Sequence, residues 1–469
     1  MTIQKAKDID EIYEDVRDYD LVLTTDAPLS DAINGRLKHA VFGEFANTPR
    51  RIVRDEYGDP LERRDLFAKA VRETEMTWKQ ASYLLDLVVE CWQHTGNPTD
   101  ILDTRYGSPE VRRTLEIAQD ENSIYSRMEE HTVGEDLDVA VVGWHDFNEL
   151  DKKVLPDSYD RISIFEDESA SLPEFRVFES ATSLVESIRD NVTSENANRT
   201  AIFAKQDSKK EKLIKSAFKT DGIPYIDSTT VSDSDGLRTL LKLLRTSLSS
   251  ERVKVSDARP VLRRIGVNDQ IPLDKDEVYL TSLDIETGLD TFLSDVDRMT
   301  FEDAIGRYET LSGDKLDELR EAIEDVNLLQ EDITEESINR LRYYVDSYDV
   351  GSETEVGGVL FADPSASIAD RPLVFYVDMD ESWTADIPDR PWIDEDSLNE
   401  RYLKSFQILL QNGREQYYMV QQTEASEEVT PCFYLHELVD GSELRDKSIE
   451  GFTSFRNHGR YTGMAEAES

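Results

Sequence analysis

The sequence predicts an α/β protein with two parallel sheets, each interrupted by a helical insertion, and three observations carry that prediction. Short apolar runs of strand length recur through both halves of the chain. Amphipathic segments of 10 to 15 residues separate them, the pattern of parallel strands joined by right-handed crossovers. Between residues 251 and 348 the strand signal nearly vanishes, and apolar residues fall at helical intervals instead.

The elements follow in order. A charged lead helix precedes a strand at Leu21 to Thr25. The Asp-Ala-Pro entry at Asp26 then opens a helix to Leu37, since proline is well tolerated in a first turn. Arg50 to Val53 reads as a further strand. From Glu62 to Gln119 the pattern is helical, with Trp78, Tyr83, Leu84, Leu87, Val88 and Cys91 at helical spacing. Leu137 to Gly143 and Arg161 to Phe165 read as strands. A second alternating run begins with strand Phe175 to Phe178 and helix Ala181 to Asn191. It continues with strand Ala201 to Ala204, helix Lys209 to Lys219, strand Ile223 to Ile226 and helix Asp235 to Leu248. The sheet resumes at Val359 to Asp363 and Leu373 to Asp378, followed by helix Ser397 to Asn412 and strand Gln416 to Gln421. The expected domains are 1–170, with an insertion at about 60–130; 171–250 plus 351–440; a helical insertion at 251–350; and a peripheral tail at 441–469.

Composition narrows the function. The 469 residues carry 99 Asp and Glu against 53 Lys and Arg, a formal net charge of -46. The acid is spread over the whole chain and is not gathered in a tail, so it reads as a surface built to stay hydrated in concentrated salt. At molar salt the Debye length is about 3 Å and carboxylate repulsion largely disappears; in dilute buffer the same repulsion destabilises the compact state. A halophilic source is the expectation. Cys91 and Cys432 are the only cysteines, which excludes a disulfide scaffold and a multi-cysteine zinc site. The charged N-terminal segment lacks the apolar core of a signal peptide. No apolar run approaches the roughly 20 residues of a membrane span. A cytoplasmic protein is expected.

Four stretches, Leu137 to Leu150, Ala201 to Ala204 with Asp221 to Tyr225, Gly357 to Asp363 with Arg371 to Trp383, and Asn399 to Arg401 with Tyr417 to Val420, together resemble the superfamily 1, UvrD-like helicases, and more closely the AddB/RecC-type helicase-like subunits of helicase–nuclease complexes. Leu137 to Leu150 is similar to the strand-and-Gly segment found in those subunits where helicases keep magnesium-binding carboxylates. Ala201 to Ala204, followed by Asp221 to Tyr225, is similar to the Gly-Ile-Pro strand of the second motor domain. Gly357 to Asp363 and Arg371 to Trp383 resemble the next strand pair, and Asn399 to Arg401, leading to Tyr417 to Val420, the last helicase motif. The resemblance spans Ile33 to Leu438 and implies two RecA-like domains.

The departures from that pattern bear on chemistry. A nucleotide cradle needs glycine amides and a lysine. Here the first strand runs into Asp26, Pro28 and Asp31, which present acid to the phosphates and remove a donor. Gly143 and Trp144 stand where an Asp-Glu pair would hold magnesium, and alignment sets Asn412 near the position of the phosphate-sensing arginine, with Arg401 and Arg414 on other turns. The degenerate pocket is therefore Asp26, Pro28, Asp31, Gly143 and Asn412, with no catalytic residue, cofactor or metal expected. The resemblance implies a non-catalytic subunit of a DNA repair or end-processing complex. Its implied partners are single-stranded or branched DNA and a UvrD-like helicase or nuclease subunit.

Candidate DNA contacts follow from residue type. Lys205, Lys209, Lys210, Lys212, Lys215 and Lys219 lie on or beside one helix, and Arg252, Lys254, Arg259, Arg263 and Arg264 follow further on. Cations of this kind meet phosphates, although a solvated helix face reads the same way. Trp144, Trp383 and Trp392, in loops after strands, are candidates for stacking on bases, a contact less sensitive to salt. Loop tryptophans are also common packing anchors. Asp378, Asp380 and Glu381 form an acidic knot, but Ser382 and Trp383 stand where a metal nuclease would keep its lysine. The histidines, His94, His145 and His436 among them, show no metal-ligand spacing. A protein-interaction scaffold without nucleic acid is the competing expectation.

Overall fold

A computed structural model describes residues 2–38, 43–226, 228–229, 235–249, 253–266, 268, 271–282, 292, 295–348, 353–354, 357–424 and 427–440. Arg252 and the tail at 441–469 lie outside them. The fold is mixed α/β with two parallel sheets. The chain divides into two compact units: residues 1–60, 87–227 and 355–469 in one, and residues 61–86 and 228–354 in the other.

The first unit opens with β1 (Thr2–Ala6), β2 (Leu21–Leu23) and β3 (Ala46–Asn47), and continues with β4 (Val139–Val142), β5 (Asp160–Ile162) and β6 (Phe165–Ser171). Four of these strands form a parallel sheet in the order β3-β2-β4-β5. The reason lies in the residues. Every side chain of Val-Ala-Val-Val in β4 is buried, and such a run suits a strand covered on both faces. Its core gathers Ile12, Val16, Leu29, Ile33 and Ala140.

The second sheet comprises β7 (Phe175–Phe178), β8 (Thr200–Phe203), β9 (Tyr225–Ile226), β12 (Val359–Ala362), β13 (Leu373–Val377) and β14 (Glu415–Gln421), in the order β7-β14-β13-β8-β12-β9, all parallel. The numbers β10 (Ser228–Thr229) and β11 (Glu353–Thr354) denote a short antiparallel pair in the other unit. Alternation along β13 divides the core in two. Val374 and Tyr376 join Phe203, Tyr418 and Val420 on one face. Phe375 and Val377 join Ile202, Met419 and the helix residues Ile214 and Phe218 on the other. The first unit thus holds both sheets, and Ile368 and Ile408 from the second stretch enter the core of the first sheet.

The other unit is mainly helical, with helices Arg63–Glu73, Phe301–Ser312, Asp317–Asp325 and Glu335–Ser347. Phe67, Trp78, Tyr344 and Tyr348 form its aromatic centre, the Phe67 and Tyr348 rings being 4.6 Å apart. This packing is why Leu61–Asp86 groups with Ser228–Thr354, whereas residues 60–130 were expected to form one insertion of the first domain.

Three elements depart from the sequence reading. Arg50 to Val53 is not a strand but part of helix Pro49–Tyr57, because the Thr48 hydroxyl accepts from the Arg51 N–H as an N-cap and Pro49 occupies the first turn. The lead segment is a helix, Ile9–Val16, preceded by an unexpected strand, β1. That strand pairs antiparallel with β6, so Arg161 to Phe165 gives way to two strands, β5 and β6. Among the described residues no helix is long and apolar enough to cross a membrane.

Candidate functional site

The carboxyl ends of parallel strands are where α/β sheets hold ligands, because the helices that follow direct their N-termini there. In the first unit, loops after β2, β4, β8, β12 and β13 line one cleft of about 530 Å3 with helix Glu395–Leu409. Its wall includes Asp26, Pro28, Asp146, Lys205, Asp363 and Arg401.

After β2 the chain turns into helix Ala27–Asn34. Asp26 is its N-cap and accepts from the Leu29 N–H at 3.4 Å. Pro28, in the first turn, offers no N–H. A carboxylate here occupies the positive end of the helix, where a phosphate would bind. Burial pushes the Asp26 carboxyl up to about 6; the Leu29 N–H offsets part of this, and the charge on Asp146 adds to it. Asp146 is raised as well, chiefly by burial, with Arg401 and His145 opposing.

Behind β4, Gly143 adopts φ 70°, and a Cβ there would meet the Ile164 Cδ1 at 2.7 Å. The left-handed turn therefore favours glycine, and it delivers Asp146 to the cleft. Across from it, Lys205 Nζ lies 3.6 Å from Asp363 Oδ2. Burial raises Asp363, but the N–H groups of Gln206 and Ser365 outweigh it and hold the carboxyl below its ordinary range.

Helix Glu395–Leu409 is fixed by its far end. The hydroxyls of Tyr376 and Tyr418 donate to the carbonyls of Leu409 at 2.7 Å and Leu410 at 2.6 Å. These bonds satisfy carbonyls that a helix C-terminus leaves open, and they hold Arg401 and Tyr402 at the cleft wall.

Gly143 shapes the turn without lining the cleft, and two further residues expected in the pocket are elsewhere. Asp31 faces outward and pairs with Arg51 at 2.7 Å, since it lies on the exposed side of its helix. Asn412 is a structural clamp: its side chain accepts from the Ala369 N–H at 2.8 Å and donates to the Ser367 carbonyl at 2.9 Å. Arg401, which the alignment set on another turn, is the arginine in the cleft. Asp146, Asp363 and Arg401 were missed. For Asp146 and Asp363 the signal available was their place in the loops that follow β4 and β12.

The DNA candidates divide. Lys205, Lys209, Lys212 and Lys219 are exposed. Lys212 pairs with Asp207 at 2.8 Å, and Lys215 with Glu211 at 2.9 Å. Lys210 is a correction: it is 4% exposed, and its ammonium sits 2.8 Å from the Asp378 carboxylate and 3.4 Å from Glu424. Arg263 and Arg264 are exposed on helix Val255–Arg264 of the other unit. There Arg259 binds the carbonyls of Asn268, Ile271 and Pro272, and Lys254 pairs with Glu277.

Of the tryptophans, Trp383 is also a correction: it is 5% exposed and packs edge-on against Phe406, so no base can reach its face. Trp144 is half-buried, with Arg161 3.8 Å and Lys152 4.5 Å from the ring. Trp392 is half-buried against Tyr106.

The acidic knot is a strained turn. Asp378 and Met379 have φ of 78° and 47°, and the second Asp378 carboxylate oxygen is buried without a partner. Burial pushes Asp378 up to about 6 even though Lys210 opposes it. Asp380 caps the short turn Glu381–Trp383. No group of three or more metal-ligating side chains occurs among the described residues. No protein-family model matches this chain, and no curated protein matches it.

Proposed function

We propose that this chain is a non-catalytic, helicase-like subunit of a DNA end-processing complex, with two RecA-like sheets that no longer run an ATPase cycle. One observation carries the reading. The cleft between the sheets has the location of a nucleotide site, but Asp26 and Pro28 occupy the helix N-terminus that would cradle the phosphates. A carboxylate at that place repels a triphosphate and already uses an amide the triphosphate needs. The partners consistent with this reading are single-stranded or branched DNA and a UvrD-like helicase or a nuclease subunit. Lys209 and Lys219 are exposed cations available to phosphates.

The test is fluorescence anisotropy of labelled single-stranded DNA with the whole protein at molar KCl, alongside MgATP titration. Binding is expected, and charge reversal of Lys209 and Lys219 together is expected to weaken it severalfold. Tight MgATP binding, or turnover by the purified chain, would overturn the reading. The competing reading, a protein scaffold without nucleic acid, gains support from the burial of Lys210 and Trp383 and from the cations over Trp144. Absence of DNA affinity with co-purification of another protein decides for it.

A further inference from the structure

The same cleft holds polar groups without a partner among the described residues. Arg401 lines it and makes no hydrogen bond or ion pair among the described residues. Its charge acts on Asp146 through space, without a direct contact. Its neighbours are not in this condition: Lys205 has Asp363 and Lys404 has Glu400 at 2.8 Å. The side-chain hydroxyls of Thr25, Ser367, Tyr402 and Ser405 also line the cleft and have no partner among the described residues. Trp383, in the same wall, buries its indole N–H without an acceptor. Buried polar groups are normally satisfied, so the unpartnered indole N–H of Trp383, beside the half-exposed guanidinium of Arg401 in the same wall, marks a place for a ligand.

The groups also define what fits. Among the described residues that line the cleft, Arg401 is the one cation without a hydrogen bond or ion pair, and Asp26, Asp146 and Asp363 share the wall, so a single anionic group is accommodated and a triphosphate is not. The planar guanidinium suits a carboxylate or a phosphate bound through two oxygens. Hydroxyls and an indole N–H can exchange hydrogen bonds with a hydroxylated body. A cleft of about 530 Å3 lies within the usual range for small-molecule sites.

We infer that this cleft binds a small hydroxylated organic molecule with one anionic group, which Arg401 holds. The inference rests on the reading that the cleft has ceased to be a nucleotide triphosphate site. Isothermal titration calorimetry of the whole protein at molar KCl tests it with three probes: D-gluconate for the sugar carboxylates, D-ribose 5-phosphate for the sugar phosphates, and MgATP. Binding of gluconate or ribose 5-phosphate is expected, and whichever binds identifies the anion. Arg401→Gln is expected to weaken that binding about tenfold or more, and Arg401→Lys, which keeps the charge, to recover part of it. Thermal unfolding of both variants followed by circular dichroism establishes that they are folded. Failure of both sugar anions to bind the wild-type protein overturns the inference, as does binding that Arg401→Gln leaves unchanged. MgATP binding is a separate outcome, which overturns the non-catalytic reading on which the inference rests.

Discussion

Asp26 and Asp378 make an instructive pair. Each stands just past the carboxyl end of a parallel strand, and each carboxyl is pushed up to about 6 by burial. Their partners differ completely. Asp26 caps a helix through a backbone amide and has another carboxylate, Asp146, for a neighbour. Asp378 has an ammonium 2.8 Å away and still reaches the same value. Loss of hydration therefore outweighs even a direct ion pair, as expected when charges leave water for a poorly solvating interior. A carboxylate with no counter-ion can persist only if it remains partly hydrated, as at the cleft; one in the core needs its lysine.

Removing that lysine gives the largest expected effect. Lys210→Met leaves Asp378 buried and uncompensated, at a cost of about 3–5 kcal/mol, measurable by chemical denaturation in molar KCl. A loss below about 1 kcal/mol would place the pair among surface salt bridges and erase the contrast. Gly143→Ala comes next. The left-handed backbone and the 2.7 Å approach to Ile164 predict a loss of about 1–3 kcal/mol, read in the same experiment. An unchanged midpoint would mean that the turn after β4 adapts freely.

The smallest effect is a slope. Asp26, Asp151 and Asp378 each reach about 6 in the folded chain, above the ordinary 3.8. Between about pH 4 and 6 the folded state therefore holds more protons than the unfolded one, so stability falls as pH rises through that window and levels off above it. Asp26→Asn keeps a good N-cap and removes one titrating group, so stability measured against pH should fall less steeply. A slope identical to that of the wild type would show that Asp26 is fully hydrated.

Much of the scaffold was legible because its signals are local. Helices Ala181–Asn191 and Asp235–Leu248 lie where their apolar spacing placed them, and β7 matches residue for residue. The ribbon of β1 and β6 was not legible, since Thr2 pairs with Ser171 and neither strand carries a continuous apolar run. Helix Pro49–Tyr57 carries a start signal in Thr48-Pro49, which competes with the strand preference of the β-branched pair Ile52 and Val53. At the site, Asp26 and Pro28 followed directly from the end of a strand. Lys210 could have been found too: it stands four and eight residues before Ile214 and Phe218, on the face that helix buries. The exchange of Asn412 for Arg401 had no local signal, because which turn of a helix borders a cleft depends on how its far end is tied down.

The stitching of β1 has a consequence for how the chain is made. The Ala6 N–H donates to the Gln411 side chain at 2.9 Å, and that side chain donates in turn to the Gln4 carbonyl at 2.9 Å. During synthesis, Thr2–Ala6 leaves the ribosome long before β6 exists and longer still before Gln411 does. This strand must wait as an open edge until β6 follows it, and the Gln411 clamp is added later still, so the ribbon is finished after much of the first unit has been made.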